Sequence, residues 1–169
     1  LPPLPEQQKI AAILSTQDKV IELKEKLLAQ KQQQKKYLMQ QLLTGKKRLP
    51  GFDRKWNYVK ANETFKSIVD KSHDGKLEVL SSTQDKGIVP RSQVDIDIKY
   101  NENSLSTYKK VCEGDFVISL RSFQGGIEYS NYAGIVSPAY TVLRAIVKID
   151  NGYYKQFFKS SNYIKRLNV

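Results

Sequence analysis

The sequence predicts an α+β protein: a long N-terminal helix of the coiled-coil kind, followed by a mixed α/β globule. Three observations carry that expectation. The run from Glu6 to Leu43 has neither glycine nor proline and is rich in Gln, Lys, Leu, Glu and Ala, all good helix formers. Residues 1–50 hold nine of the thirteen glutamines but a single aromatic, Tyr37, so they lack the bulky side chains from which a core is built. Beyond Leu49-Pro50-Gly51-Phe52, a turn signal, the apolar residues fall into short alternating runs. A chain of 169 residues, 40% of them hydrophobic, has room for one ordinary domain and one extended element.

The helix is expected over about 6–43. Pro2, Pro3 and Pro5 block helix upstream, and Pro5-Glu6-Gln7 suits a first turn, where proline's missing donor is not needed. Thr44-Gly45 supplies the stop, with Lys46, Lys47 and Arg48 beside the negative end of the helix dipole. At about 1.5 Å per residue such a helix spans roughly 57 Å. Steps of four and three place Ile10, Leu14, Ile21, Leu28, Leu38 and Leu42 on one seam, interrupted by Gln17, Lys24, Lys31 and Lys35 and widened by Ile13, Val20, Leu27 and Met39. A helix this long outreaches the surface that the rest of the chain can offer, so the seam calls for a partner helix.

In the second part, Trp56-Asn57-Tyr58-Val59 opens the globule. Leu77-Glu78-Val79-Leu80 is a strand candidate, closed by a polar loop from Ser81 to Gly87. Val94-Asp95-Ile96-Asp97-Ile98 alternates as a strand does. Tyr108-Lys109-Lys110-Val111 leads through the turn Glu113-Gly114-Asp115 into the strand Phe116–Leu120. Gly125-Gly126 turns into Ile127-Glu128-Tyr129, and Tyr140–Val147 is the longest strand candidate. A single closing helix is expected from Gly152 to Ile164, with Tyr154, Phe157, Phe158 and Ile164 inward.

Composition narrows the function. Twenty-eight Lys and Arg against 17 Asp and Glu give a net charge of +11 and a pI of about 9.6, which points to a polyanionic partner. The charge is spread, +6 over residues 1–50 and +5 beyond. One cysteine, Cys112, excludes a disulfide framework and a multi-Cys zinc site, and one histidine, His73, leaves no His pair for a metal. No apolar run approaches the roughly 18 residues of a membrane span, so the reading is a soluble protein of a reducing, cytoplasmic compartment, with no membrane partner.

Catalytic machinery is not expected. Neither GxGxxG nor GxxxxGK[ST] occurs. Asp95 and Asp97, with Lys99, match a two-metal nuclease only superficially, and a solvated strand face is the simpler account. His73, in Lys71-Ser72-His73-Asp74-Gly75, reads as an exposed turn residue without employment, and Cys112 as a small buried one. The expectation is therefore a protein with no catalysis, cofactor or metal of its own.

Loop chemistry is the better lead. Base edges are read by Arg, Asn, Gln and hydroxyls, and phosphates are held by Lys, Arg and hydroxyls. Three segments offer that set: Ser81–Lys86 with Arg91 close behind, Arg121-Ser122-Phe123-Gln124, and Tyr129-Ser130-Asn131-Tyr132. Base readers are expected at Gln84, Arg91, Arg121, Gln124 and Asn131, with Ser82, Lys86 and Tyr132 on the backbone or groove. The competing reading is a non-catalytic coiled-coil adaptor that binds protein partners and uses its charge for solubility.

The first 52 residues narrow the choice. Leu-Pro-Pro-Leu-Pro-Glu-Gln-Gln-Lys-Ile, the Gln/Lys helix, and Leu-Met-Gln-Gln-Leu-Leu-Thr-Gly-Lys-Lys-Arg-Leu-Pro-Gly-Phe follow one another in order. This strongly resembles the central conserved region of type I restriction-modification specificity subunits, in which a proline-led opening precedes a spacer helix and an LLTGKxRLPGF-like exit precedes a target recognition domain. Downstream, Val79-Leu80-Ser81-Ser82 with Gly87-Ile88-Val89, and Gly114–Ser119, look like recurring pieces of such a domain. The resemblance implies a spacer region at 1–52 and a target recognition domain at 53–169. It also implies double-stranded DNA as ligand, with each of two recognition domains reading half of a split target. Two antiparallel helices set the distance between the halves. Modification (methyltransferase) subunits dock on the specificity subunit, restriction subunits join through them, and the specificity subunit has no catalysis of its own. In keeping with this, no Asn/Asp-Pro-Pro-aromatic methyltransferase motif occurs. Beginning at Leu1 with one helix and one domain, the chain is read as a half-subunit or fragment, and pairing of two copies through the helix is expected to imitate a whole one.

Overall fold

A computed structural model describes residues 1–94, 102–120 and 122–167. The expected strand Val94–Ile98, with Asp95, Asp97 and nearby Lys99, thus lies beyond Val94 outside the described residues, as does Arg121. The chain forms two compact units, Leu1–Lys47 and Arg48–Val169. The first is the single helix α1, Leu4–Leu42, 39 residues with proline in its first turn and Glu6 at its positive end. Gly45 takes a left-handed φ of 71°, and the amides of Gly45 and Lys47 bond back to the carbonyls of Leu42 and Gln41. Glycine is the residue that tolerates this conformation, so the helix ends where the sequence places its stop. No residue of α1 is buried. Of the expected seam, Ile10, Leu14, Ile21, Leu28 and Leu38 are exposed and Leu42 is half-buried.

The second unit begins with an open segment in which Trp56, Tyr58 and Val59 are all exposed, so these residues open the globule without entering its core. Its regular elements are α2 (Ala61–Thr64), β1 (Phe65–Ile68), β2 (Leu80–Thr83), β3 (Gly87–Pro90), β4 (Lys109–Val111), β5 (Phe116–Ile118), α3 (Ser122–Gly125), β6 (Glu128–Tyr129), β7 (Gly134–Val136), β8 (Thr141–Ala145), α4 (Asn151–Phe157) and α5 (Ser161–Leu167). One antiparallel sheet runs β1-β8-β5-β6, and two smaller pairs are β2-β3 and β4-β7.

The central sheet is apolar on both faces because its inner strands are apolar at successive positions. Val117 opposite Val142 faces a cluster with Leu80, Ile88, Val111 and Val136 from the two small pairs. Phe116 opposite Leu143 faces the other way, onto Phe65, Ile127 and Phe158, with Tyr154, Phe157 and Tyr163 packed around them. Phe116 meets Phe65, Tyr129 and Phe158 at centroid separations of 5.6, 5.3 and 5.1 Å, edge-on or tilted. Such contacts add to the area each ring buries.

Strands β1 and β7 fall outside the expected elements, the polar segment 122–124 is helix α3 rather than loop, and Leu77 and Glu78 precede a strand that begins at Leu80; two further differences have a clear local cause. The polar run Ser81-Ser82-Thr83 is strand β2 rather than loop. Thr83 pairs with Gly87, its hydroxyl donates to the Gly87 carbonyl at 2.8 Å and accepts from the Lys86 amide at 3.1 Å. Gly87 at φ 80° closes the three-residue turn Gln84-Asp85-Lys86. The closing helix is two helices, α4 and α5, because Ser160 supplies a new N-terminus: its hydroxyl accepts from the Tyr163 amide at 3.3 Å and its carbonyl from Ile164 at 3.0 Å. The break turns Phe158 fully inward while Tyr154 and Phe157 flank it.

Candidate nucleic-acid interface

The β2-β3 turn carries Gln84, Asp85 and Lys86, all exposed, because a three-residue turn leaves no side chain a place to bury. It is held close to its neighbours by backbone. A Cβ added at Gly87 would stand 2.7 Å from the Tyr129 carbonyl oxygen, so only glycine lets β3 approach the end of β6 this closely. Ile88 bridges Ser130 in parallel register. The Gln84 side chain lies on the backbone of Gly125 in α3, where an added Cβ would be 3.0 Å from its Cγ. Residues of the first and second polar segments, 40 positions apart in the chain, thus share one place. Gln124, in the same short helix, is exposed beside them.

A basic corner between α4 and α5 joins this place. Lys159 Nζ donates to the Gln84 carbonyl at 3.0 Å and also to the Glu128 carboxylate. Lys155 Nζ stands 5.4 Å from the centroid of the Tyr129 ring, within cation–π range. Glu128 is buried, its Oε2 has no hydrogen-bond partner among the described residues, and burial pushes its carboxyl up from the usual range against the opposing pull of Lys159, with Asp85 adding to the rise.

The remaining expected residues are spread along the hairpin. Ser82 is half-buried in β2, opposite Ile88, and belongs to the strand. Asn131 and Tyr132 are exposed just after Ser130, whose buried hydroxyl donates to the Tyr132 carbonyl at 2.7 Å and fixes their turn. Arg91 starts a 3-10 turn at the far end of β3, its amide bonded to the Val79 carbonyl at 2.9 Å. At about 3.3 Å per residue it stands roughly 16 Å along the strand from Lys86. Gln84, Lys86 and Gln124 are therefore brought together, whereas Asn131 and Tyr132 follow Ser130 from its bridge with Ile88 and lead away from the turn, and Arg91 stands at the far end of β3.

No protein-family model matches the chain. Among solved structures, the chain is similar to the crystal structure of the HsdS subunit from Thermoanaerobacter tengcongensis. The two share 22% sequence identity and a TM-score of 0.46, over 97% of this chain and 46% of that one. The chain thus spans less than half the length of that subunit.

Lys155, Lys159 and Glu128 did not stand out in the sequence. Lys155 and Lys159 fall in what reads as one amphipathic helix, and Glu128 in the expected short strand Ile127-Glu128-Tyr129, with no local sign of a role. Nothing local marks a lysine that reaches a carbonyl 75 positions away.

Two other expectations are corrected. His73 is employed: its Nδ1 accepts from the Gly75 amide at 3.1 Å, which leaves Nε2–H to donate to the Tyr108 carbonyl at 2.9 Å. These two bonds tie the 70–75 turn to the start of β4. Cys112 is exposed, while Asp115 at the same turn is buried. Among the described residues no group of three or more His, Cys, Asp or Glu could hold a metal ion, and no helix is long and apolar enough to cross a membrane.

Proposed function

We propose that the chain is a specificity element of a type I restriction-modification system and has no catalysis of its own. In this reading residues 53–169 recognise double-stranded DNA. Residues 1–52 are a spacer that docks modification (methyltransferase) subunits, through which restriction subunits join. The observation that carries the reading is the ordered set of proline-led opening, glycine-free helix and Leu42-Leu43-Thr44-Gly45 to Pro50-Gly51-Phe52 exit, with α1 occupying the interval between the two motifs. The meeting of Gln84, Lys86 and Gln124 at one exposed place, in a chain of charge +11, supports the DNA part. Amide side chains can read adenine edges bidentately, and a lysine beside them can hold the phosphate backbone.

The deciding experiment is methylation-site mapping with the cognate methyltransferase subunits present. A discrete target containing two separated specific parts is the expected result, and methylation without sequence preference sinks the proposal. Once the target is known, Gln84→Ala, Gln124→Ala and Arg121→Ala should each cost about 1–3 kcal/mol and relax one target position. Lys86→Ala should weaken all sequences alike and lower the salt slope by about one. Binding that is indifferent to salt favours the adaptor reading instead.

Pairing through the helix follows from its exposed seam. Leu14 and Leu28 are 59% and 58% exposed, and an apolar stripe along a helix is stabilised by a surface that covers it. Light scattering at micromolar concentration should give a mass above that of one chain, and Leu14→Glu with Leu28→Glu should return it to one. A wild-type mass of one chain removes the homodimer from the proposal.

A further inference from the structure

We infer that Lys159 is a positioning residue for DNA reading: it fixes the β2-β3 turn by bonding the Gln84 carbonyl and the Glu128 carboxylate at once. The inference rests on the reading that this turn contacts DNA. Within the hairpin the Thr83 hydroxyl ties Lys86 and Gly87, and just beyond it Ile88 bridges Ser130; three further contacts reach the turn from other elements. Gly87 seats it on Tyr129, Gln84 rests on Gly125, and Lys159 bonds the Gln84 carbonyl at 3.0 Å. The first two are packing contacts, and Lys159 supplies a directional hydrogen bond to the turn from another element.

Its charge is already committed. The Lys159 side chain is 25% exposed and that of Glu128 3%, and the two are in contact. An ammonium with two of its three donors used internally, beside a carboxylate, is a weak phosphate ligand and releases no net counterion. Lys159, bonded to the Gln84 carbonyl, therefore differs from Lys86, which is exposed at the turn. Glu128 holds Lys159 in place while its own Oε2 has no hydrogen-bond partner among the described residues, so the pair is kept at some cost in desolvation.

The test is Lys159→Met in the full chain, read in two ways. Without DNA, amide exchange at Lys86 and Gly87 should accelerate at least severalfold. With DNA, discrimination between the target and single-mismatch duplexes should fall about tenfold while the salt slope stays unchanged. A slope reduced by about one with discrimination intact means that Lys159 holds a phosphate and overturns the inference. Unchanged exchange overturns it too. If Lys159→Met fails to fold because Glu128 is left unpaired, Lys159→Met with Glu128→Leu removes the stranded charge and must show the same loss of discrimination. If Gln84→Ala and Lys86→Ala leave binding intact while Lys159→Met still speeds exchange, the DNA reading of this turn fails and the tether is structural only.

Discussion

Replacing Arg144 by methionine should cost about 3–5 kcal/mol of stability, and replacing its partner Asp115 by asparagine distinctly less. Asp115 is fully buried at the start of β5. Arg144 grips it with both arms of the guanidinium, Nε to Oδ1 and an Nη to Oδ2, each at 2.7 Å. The Cys112 amide adds a third bond to Oδ2 at 2.8 Å, and Asp115 in turn pushes the Arg144 guanidinium further above its ordinary range. The pair is asymmetric, since the Arg144 side chain is 39% exposed and that of Asp115 2%. Arg144→Met strands a carboxylate in the interior with no cation, the costly case. Asp115→Asn leaves a guanidinium that can turn to water and an amide oxygen that still accepts, so only about 1–2 kcal/mol is expected, the scale of an ordinary buried hydrogen bond. Urea unfolding of both single variants and the double variant checks this. The double variant should be well short of the sum, because the stranded charge is gone. Equal costs for the two single changes remove the argument from burial.

The same residue shows where the sequence is legible. Glu113-Gly114-Asp115 reads as a turn and is one, with Gly114 at φ 94°. That its aspartate is buried depends on Arg144, 29 positions on, whose arrival requires β8 to pair with β5. The pattern within a segment reveals α1, β5 and β8, because each is specified by its own residues: absence of glycine and proline for α1, an unbroken apolar run for β5, and for β8 an apolar and β-branched run interrupted by Arg144. The hairpin β2-β3 is hidden because Ser81, Ser82 and Thr83 have loop composition, and their strand state comes from pairing with Val89, Ile88 and Gly87. The break at Ser160 is hidden because Phe157-Phe158 and Ile164 fit one amphipathic helix as well as two, and the cap decides.

The candidate site divides in the same way. Polar segments are visible by composition, since Gln84, Lys86, Gln124, Asn131 and Tyr132 stand in short runs between apolar ones. Which of them meet is fixed by backbone contacts remote in sequence, through Gly87 on Tyr129 and Gly125 beneath Gln84. Lys159 and Glu128 belong to that second kind of information entirely. A charge at an ordinary helical spacing becomes a tether only when β6 and the α4–α5 corner are side by side.

Gly126→Ala should cost about 2–5 kcal/mol, and Gly51→Ala, its control, only about 1–2. Both glycines have left-handed backbone, φ 86° at Gly126 and φ 80° at Gly51, so each variant bears the conformational cost of a side chain there. They differ in surroundings. Nothing lies within 4 Å of a Cβ added at Gly51, whereas one at Gly126 would be 2.1 Å from the Phe158 carbonyl oxygen and 3.4 Å from Lys159 Cα. No rotamer can relieve a collision with backbone, so α3 or the corner between α4 and α5 must move. Gly126 also donates its amide to the Ser122 carbonyl at 2.8 Å, which ties it to the helix bearing Gln124. Moving the corner instead drags Phe158 out of register with Phe116 and Phe65, from which it is 5.1 and 5.5 Å. Either way, Lys159 and Gln124 shift relative to Gln84. Gly126→Ala should therefore lower the urea midpoint and also blur target discrimination, while Gly51→Ala lowers the midpoint slightly and leaves discrimination alone. If the two variants are equally stable, the contact with Phe158 is not the constraint that holds α3, and the convergence of the polar segments must be maintained by something else.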